Sequence, residues 1–169
     1  MILTPEQAMI RDTLRQFAQE RLTPNAAEWE RTHMFPRQAL VELGELGAMG
    51  IIVPEQWGGA GMDSLSMALA IEEIAVGHGA TSTIVSVQNS LACGITLKYG
   101  TEAQKARYLT RFARGEWLGC FCLTEPHTGS DAATIRTTAR REGDCWVLNG
   151  VKQFITTGKE GHIALVFAV

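Results

Sequence analysis

The sequence predicts an α+β fold in which a helical first part is followed by short β-strands. Up to Gly115, apolar residues recur every three or four positions, which is the spacing of one face of a helix. After Gly115 this spacing is lost, and short apolar or threonine-rich stretches alternate with turn residues. A length of 169 residues with 46% hydrophobic content is enough to build one or two cores. We therefore expect a helical domain over residues 1–116 and a β-domain over residues 117–169.

The helices are predicted from their ends as well as from their spacing. Thr4 and Gln7 form a capping box around Pro5, and a second capping box opens the last helix. Pro24 is expected to end the first helix just before it. The segment over residues 81–97 has no charged residue and is expected to be buried on most sides. These signals predict helices over residues 4–23, 36–47, 63–77, 81–97 and 101–115.

Turn residues divide the second part into strands. Asn149-Gly150 is a strong hairpin signal, and it predicts that residues 145–148 pair with residues 151–156. So few strands would leave an edge and an apolar face uncovered, so we expect chain beyond Val169 to complete the sheet. The predicted strands cover residues 117–124, 134–140, 145–148, 151–156 and 163–169.

Charge and composition argue against several classes of function. The net charge is -3 with both signs mixed along the chain, so no basic surface for nucleic acid is expected. No apolar run approaches the roughly 20 residues of a membrane span, and residues 1–6 do not resemble a signal sequence. This predicts a cytoplasmic protein without membrane contact. Cys120 and Cys122 are closer together than the usual cysteine pairs of zinc sites. All four cysteines, Cys93, Cys120, Cys122 and Cys145, are therefore predicted to be buried thiols without a metal.

The turn after the first predicted strand is a candidate binding site. Residues 121–131 read F-C-L-T-E-P-H-T-G-S-D. Such a turn can present backbone N–H groups and the hydroxyls of Thr124 and Ser130 to an anionic or carbonyl-rich ligand. On chemistry alone, an ordinary loop is the better interpretation. Within it, Glu125 is expected to fix the turn and His127 to be a solvated loop residue.

Several motifs together resemble the acyl-CoA dehydrogenase family. Residues 124–131 resemble its T-E-P-x-x-G-S-D signature, and residues 148–156 resemble its L-N-G-x-K-x-[WF]-I-T segment. Residues 54–61, 72–74 and 99–109 resemble its P-E-x-x-G-G-x-G loop, its E-E-I helix and its Y-G-T-x-x-Q-K-x-x-Y-L segment. The motifs follow the family's order over essentially the whole chain.

The resemblance implies an α-helical N-terminal domain and the first strands of a β-barrel-like middle domain. It places the family's C-terminal helical bundle outside these residues. It also implies FAD, with the turn at the pyrophosphate, Phe154 beside the isoalloxazine and the Thr156 hydroxyl near its reactive nitrogen. Ser130 is expected to contact the acyl-CoA substrate as well. The implied cofactor-binding residues are Phe121, Cys122, Leu123, Thr124, Gly129, Ser130, Phe154, Ile155 and Thr156.

The implied reaction is α,β-dehydrogenation of an acyl-CoA thioester in fatty acid metabolism. In it, a carboxylate removes the α-proton while hydride passes from the β-carbon to the flavin. The family's base is a glutamate of the C-terminal bundle, so no catalytic residue is assigned here and the chain alone is expected to be inactive. Glu72 and Glu73 point in different directions on a helix and are given a structural role. The implied partners are an electron-transfer flavoprotein and further copies of the chain, as a dimer or homotetramer.

Two alternatives remain open at this stage. The same fold could serve a flavin oxidase or monooxygenase, which would form hydrogen peroxide or an oxygenated product without an electron-transfer flavoprotein. The chain could also be a non-catalytic flavin-fold fragment or assembly module. The absence of flavin from the pure protein would favour that second alternative.

Overall fold

A computed structural model describes residues 2–169, and the first part is a bundle of helices, as predicted. Helix α1 packs against α4, and α4 packs against α5. Apolar side chains from all of these helices meet in a continuous buried core. The helices are α1 (Pro5–Phe17), α2 (Thr23–Thr32), α3 (Arg37–Glu45), α4 (Ser64–Gly77), α5 (Gly79–Val87), α6 (Gly94–Tyr99) and α7 (Glu102–Ala113).

The two predicted capping boxes lie at the starts of α1 and α7, and a third capping side chain lies at the start of α4. The Thr4 hydroxyl accepts a hydrogen bond from the Gln7 backbone N–H, and Thr101 and Gln104 repeat this arrangement at α7. The Asp63 carboxylate caps α4 in the same way. Each contact satisfies an N–H group that has no partner within its helix.

The predicted end of the first helix before Pro24 is wrong. A π-helical turn over Ala18–Leu22 joins α1 to α2 without a break. The wider turn changes the hydrogen-bond register, and Pro24 falls in the first turn of α2, where the missing N–H costs little. The Thr23 hydroxyl donates to the Ala18 carbonyl and supports the join.

A second π-helical turn, Gln88–Cys93, joins α5 to α6. The predicted buried helix over residues 81–97 is thus part of one continuous helical segment, residues 79–99, with a wider turn in its middle. We call this segment the helical rod. It carries two fully buried amide side chains, those of Gln88 and Asn89. Buried polar groups require hydrogen-bond partners, so these two residues are expected to fix neighbouring segments.

An ion pair joins α1 to α4. Arg15 Nη2 lies 2.6 Å from Glu73 Oε1, and Arg15 Nε lies 3.0 Å from Glu73 Oε2. Glu73 is buried in this pair, whereas Glu72 is exposed. The two adjacent carboxylates therefore do not share a site, as expected for neighbours on a helix.

The second part contains four strands in two pairs. They are β1 (Gly119–Cys122), β2 (Thr138–Glu142), β3 (Cys145–Asn149) and β4 (Ile163–Val166). Strands β1 and β4 are parallel, with Gly119 opposite Ile163, and β2 and β3 are antiparallel. Val169 exchanges backbone hydrogen bonds with residues 137 and 139 and so connects the two pairs. Most side chains of β2 and β3 are exposed, including Trp146.

The predicted hairpin across Asn149-Gly150 is wrong. Strand β3 instead pairs with β2 across Gly143-Asp144, where Gly143 has a φ of 60° that suits a two-residue hairpin loop. A glycine is needed at position 150 for a different reason, because a Cβ there would lie 2.3 Å from the Thr137 hydroxyl oxygen. The chain therefore passes close to residue 137 and continues as an irregular segment, not as a strand.

Two further expectations concern the cysteines and membranes. The side chains of Cys93, Cys120 and Cys122 are buried free thiols, as predicted. The prediction is wrong for Cys145, which is exposed because it lies on β3, where every side chain is exposed. Among residues 2–169, no helix combines the length and the apolar character needed to cross a bilayer.

Candidate functional site

A cavity of about 140 Å³ lies between the end of β1 and the helical bundle. Two separate stretches of the sequence meet there, the end of β1 and the segment that follows Gly150. From the opposite side, the helical rod contributes two apolar side chains. The lining residues are Val87, Leu91, Phe121, Thr124, Phe154, Ile155 and Thr156. Five of the nine predicted cofactor residues therefore border one cavity.

Phe154 has an unusual conformation at the mouth of this cavity. Its φ of 57° lies in the left-handed region, which bulky side chains rarely adopt, and its side chain is 86% exposed. The Gln153 N–H donates to the Thr124 carbonyl at 2.9 Å, and the Thr157 hydroxyl donates to the Gly119 carbonyl at 2.9 Å. The contacts on both sides hold Phe154 in place. Strained residues held by their surroundings are concentrated at ligand sites.

Glu125 organises the turn that follows β1. Its buried carboxylate accepts hydrogen bonds from the backbone N–H groups of Arg136 at 2.7 Å and Thr137 at 2.9 Å. Lys152 Nζ lies 2.8 Å from Glu125 Oε1 and also donates to the Leu123 carbonyl at 2.9 Å. One ion pair thus joins three stretches of chain around the candidate site. We call this Glu125–Lys152 pair the clasp.

The clasp makes Glu125 a poor base. Burial alone would raise the pKa of its carboxyl group, but the hydrogen bonds from Lys152, Thr137 and Arg136 outweigh burial and hold this pKa below its ordinary value. The carboxylate is therefore ionised, and it is fully used as a hydrogen-bond acceptor. The expected role of Glu125 in fixing the turn agrees with this geometry.

Four predicted cofactor residues do not line the cavity. Cys122 is buried, burial raises the pKa of its thiol to about 11, and its sulfur lies 3.8 Å from that of Cys120. Leu123 offers its carbonyl to the clasp. Gly129 lies beside Thr124, and Ser130 is exposed on the outer part of the turn.

His127 is exposed on the same turn. Its Nε2 lies 3.0 Å from the Thr134 carbonyl oxygen and 3.7 Å from the Glu125 carboxylate. It points along the turn and does not border the cavity. This placement agrees with a loop residue and gives no support for an acid–base role.

Sequence reasoning missed three residues of the site. Val87 and Leu91 are four positions apart on the helical rod, so they share one face. Their helical spacing and the absence of charge predicted a buried helix but did not mark them as residues of the site. Lys152 was noticed as part of a motif, but its buried pairing with Glu125 depends on a fold in which residues 125 and 152 meet. Local sequence carries no signal for such a contact.

The rest of the described chain offers no better site for the predicted ligands. A larger cavity of about 550 Å³ lies beside α3 and the glycine-rich loop, and it contains none of the predicted residues. No three His, Cys, Asp or Glu side chains of residues 2–169 form a group that could hold a metal ion.

The cavity walls fit a planar ring with hydrogen-bonding edges. Phe121, Phe154 and Ile155 provide aromatic and aliphatic faces, and Thr124 and Thr156 provide hydroxyl groups beside them. An isoalloxazine has this combination of a flat face and polar edge atoms. The residues present are therefore compatible with a flavin at this position.

Residues 4–116 match the family "Acyl-CoA dehydrogenase, N-terminal domain", and residues 120–169 match "Acyl-CoA dehydrogenase, middle domain". The chain therefore belongs to the acyl-CoA dehydrogenase family, and the resemblance found in its motifs is confirmed.

Known relatives are similar over nearly the whole chain. The human mitochondrial short-chain specific acyl-CoA dehydrogenase is 48% identical over 160 residues, which is 95% of this chain and 39% of the relative. A glutaryl-CoA dehydrogenase from Mycobacterium smegmatis, solved in complex with FADH2, matches with a TM-score of 0.93 and 40% identity over 98% of this chain and 43% of its own. A chain in a structure of the electron transferring flavoprotein of Acidaminococcus fermentans matches with a TM-score of 0.96 and 42% identity, over 99% of this chain and 44% of its own. The chain thus spans about two fifths of the length of these proteins.

Proposed function

We propose that the protein containing this chain oxidises an acyl-CoA thioester to the α,β-unsaturated thioester with FAD as its cofactor. The observation that carries the proposal is the cavity at the end of β1, where predicted flavin residues from two distant stretches meet. Membership of the family supports the reaction type, and the FADH2 complex of a similar protein supports the cofactor.

Each part of the site has a proposed role. Phe154 and Ile155 pack against the flavin ring, and the hydroxyls of Thr124 and Thr156 hydrogen-bond its polar edge. The turn that ends at Ser130 offers backbone N–H groups to the pyrophosphate and contacts the substrate near its thioester. When bound, FAD supplies the acceptor for the hydride from the substrate β-carbon.

The residues described here hold the reactants in place and do not carry out the proton transfer. Glu125 is ionised but occupied by the clasp, and Glu73 is occupied by Arg15. A general base must reach the proton that it removes, and no Asp or Glu side chain among residues 2–169 lines the cavity. We assign the base to a carboxylate outside residues 2–169.

The first test is the visible absorption spectrum of the purified protein before and after anaerobic addition of butyryl-CoA. Bound flavin that bleaches with this thioester is the expected result. The Phe154→Ala variant should retain less flavin, whereas Tyr99→Ala, at an exposed aromatic residue away from the cavity, should retain as much as the wild type.

Other outcomes separate the alternatives. Protein that carries no flavin and binds none when FAD is added would contradict the proposal and favour an assembly module. Flavin that is reduced by substrate and then, when oxygen is admitted, is rapidly reoxidised with formation of hydrogen peroxide would identify an oxidase.

We also propose an electron-transfer flavoprotein as the electron acceptor and a homo-oligomer, a dimer or tetramer, as the working form. The match to a chain in the Acidaminococcus fermentans structure supports the first. Exposed apolar side chains on β3 and beyond, such as Trp146 and Val151, supply surface for the second. Substrate-dependent reduction of an added electron-transfer flavoprotein tests the acceptor, and light scattering tests the oligomer.

A further inference from the structure

A single buried amide connects the helical rod to β1. Gln88 is only 1% exposed, and its Nε2 donates to the carbonyls of Phe112 at 3.0 Å and Trp117 at 2.9 Å. Its Oε1 accepts from the Gly119 N–H at 3.0 Å. Three backbone groups, one at the end of α7 and two at the start of β1, thus bond to one side chain.

The same strand lies directly on the rod at a second point. A Cβ on Gly119 would lie 2.4 Å from the Cβ of Ala92, a distance at which something must shift. Only glycine allows this approach. The contact at Ala92 and the hydrogen bonds of Gln88 together leave little freedom in the distance between rod and strand.

The two structures that Gln88 connects are opposite walls of the cavity. Val87 precedes it on the rod and Leu91 lies one turn further along, and both line one wall. Phe121, two residues beyond Gly119 on β1, lines the other wall. The proposed function assigns the flavin contacts to Phe154, Ile155 and the two threonines, and it assigns no such contact to the apolar side chains of Val87, Leu91 and Phe121. We infer that Gln88 is a positioning residue, whose amide sets the spacing of these apolar walls and thereby the length of acyl chain that fits between them, beside the flavin. The inference rests on the proposed function.

Asn89 provides a matched comparison. It is also fully buried in the same π-helical turn, and its Nδ2 donates to two carbonyls, those of Ala48 and Val85. Its Oδ1 accepts from the Ile51 N–H. It therefore makes the same number and types of hydrogen bond as Gln88, but all of them lie within the helical bundle and none reaches β1.

The experiment compares Gln88→Glu with Asn89→Asp. Each change keeps the size of the side chain and its acceptor oxygen, and it removes the amide N–H groups that donate two hydrogen bonds. Both variants should therefore lose similar thermal stability. For each purified protein with bound flavin, kcat and KM are measured with butyryl-CoA and octanoyl-CoA. Gln88→Glu should change the ratio of the two kcat/KM values by about tenfold, since pocket changes the size of a methylene or two have such effects. Asn89→Asp should leave the ratio unchanged.

Two results would overturn the inference: an unchanged ratio in Gln88→Glu, or equal changes in both variants. If Gln88→Glu does not fold, Gln88→Asn keeps both functional groups on a shorter side chain and should shift the ratio in part. An unchanged ratio of the two kcat/KM values in Gln88→Asn would also overturn the inference. Failure of the proposed function would look different, because the wild type itself would not be bleached by either thioester.

Discussion

The helical region, residues 2–116, and the strand region, residues 117–169, are ordered by different forces. Nearly all fully buried apolar side chains lie in the helical region, and beyond it only Leu118, Cys120 and Cys122 are buried to this degree. In the strand region, Trp146 and Leu148 are 65% and 52% exposed. Burial of apolar surface therefore stabilises the first region, whereas the clasp and backbone hydrogen bonds arrange the second. The candidate site lies between these two regions, and both contribute residues to its lining.

Replacing one phenylalanine by alanine in each region should give the largest and most unequal changes in the free energy of unfolding. Phe112 is fully buried among α7, the rod and β1, so Phe112→Ala should lower the free energy of unfolding by about 3–5 kcal/mol. Phe154 is exposed, so Phe154→Ala should change it by no more than about 0.5 kcal/mol. Urea denaturation measures both. Equal losses would show that the strand region has a core of its own.

The clasp should make the strand region sensitive to acid. The pKa of Glu125 is held below its ordinary value of 4.5, so its contribution to stability is complete above that pH and declines as the pH falls below it. At neutral pH, Glu125→Gln should lower the Tm by several degrees, because the Lys152 side chain, only 12% exposed, loses its charged partner.

Thermal unfolding followed by circular dichroism from about pH 7 to about pH 3 tests this dependence. The difference between wild type and Glu125→Gln should shrink in the acid range. The control is Glu72→Gln, at an exposed carboxylate, which should differ little from wild type at any pH. A constant difference across the range for Glu125→Gln would mean that the charge of the clasp is unimportant.

The smallest expected effect concerns the β2–β3 hairpin. Gly143 has a φ of 60°, and a side chain in this conformation costs about 1–2 kcal/mol, so Gly143→Ala should destabilise the protein by that amount. Gly79 has open space around it and no positive φ, and Gly79→Ala should cause no loss. Urea denaturation distinguishes the two. A Gly143→Ala variant as stable as wild type would contradict the pairing of β2 with β3.

The sequence was informative where local chemistry determines the structure. The capping boxes at Thr4 and Thr101 and the uncharged rod were predictable because each depends on neighbouring residues. Pro24 was misleading because a π-helical turn, which has no clear sequence signal, places the proline in a tolerant position. Asn149-Gly150 was misleading because close approach to Thr137 determines the path of the chain there.

The site was predictable only in part, for the same reason. Motifs identified both stretches that meet at the cavity, and whether their residues bind FAD stays a prediction. The clasp, the rod wall and the amide of Gln88 depend on contacts between residues far apart in sequence. Gln88 and Lys152 meet their partners about 30 positions away, at separations of 31 and 27 residues. Neither contact has a local pattern by which it could be recognised.

The parallel pairing of β1 with β4 has a consequence for the order of folding. Next to this pairing, the Leu118 backbone N–H donates a hydrogen bond to the His162 ring nitrogen Nδ1, 44 residues further along the chain. The β1–β4 pairing therefore forms only after a long loop has closed. The part of the bundle on which β1 rests, the rod and α7, closes over a shorter span, since Gln88 and Phe112 are 24 residues apart, and it is expected to form earlier in folding. The folded rod then presents Ala92 and Gln88 to the strand region, so β1 packs against the rod first and β4 pairs with β1 later.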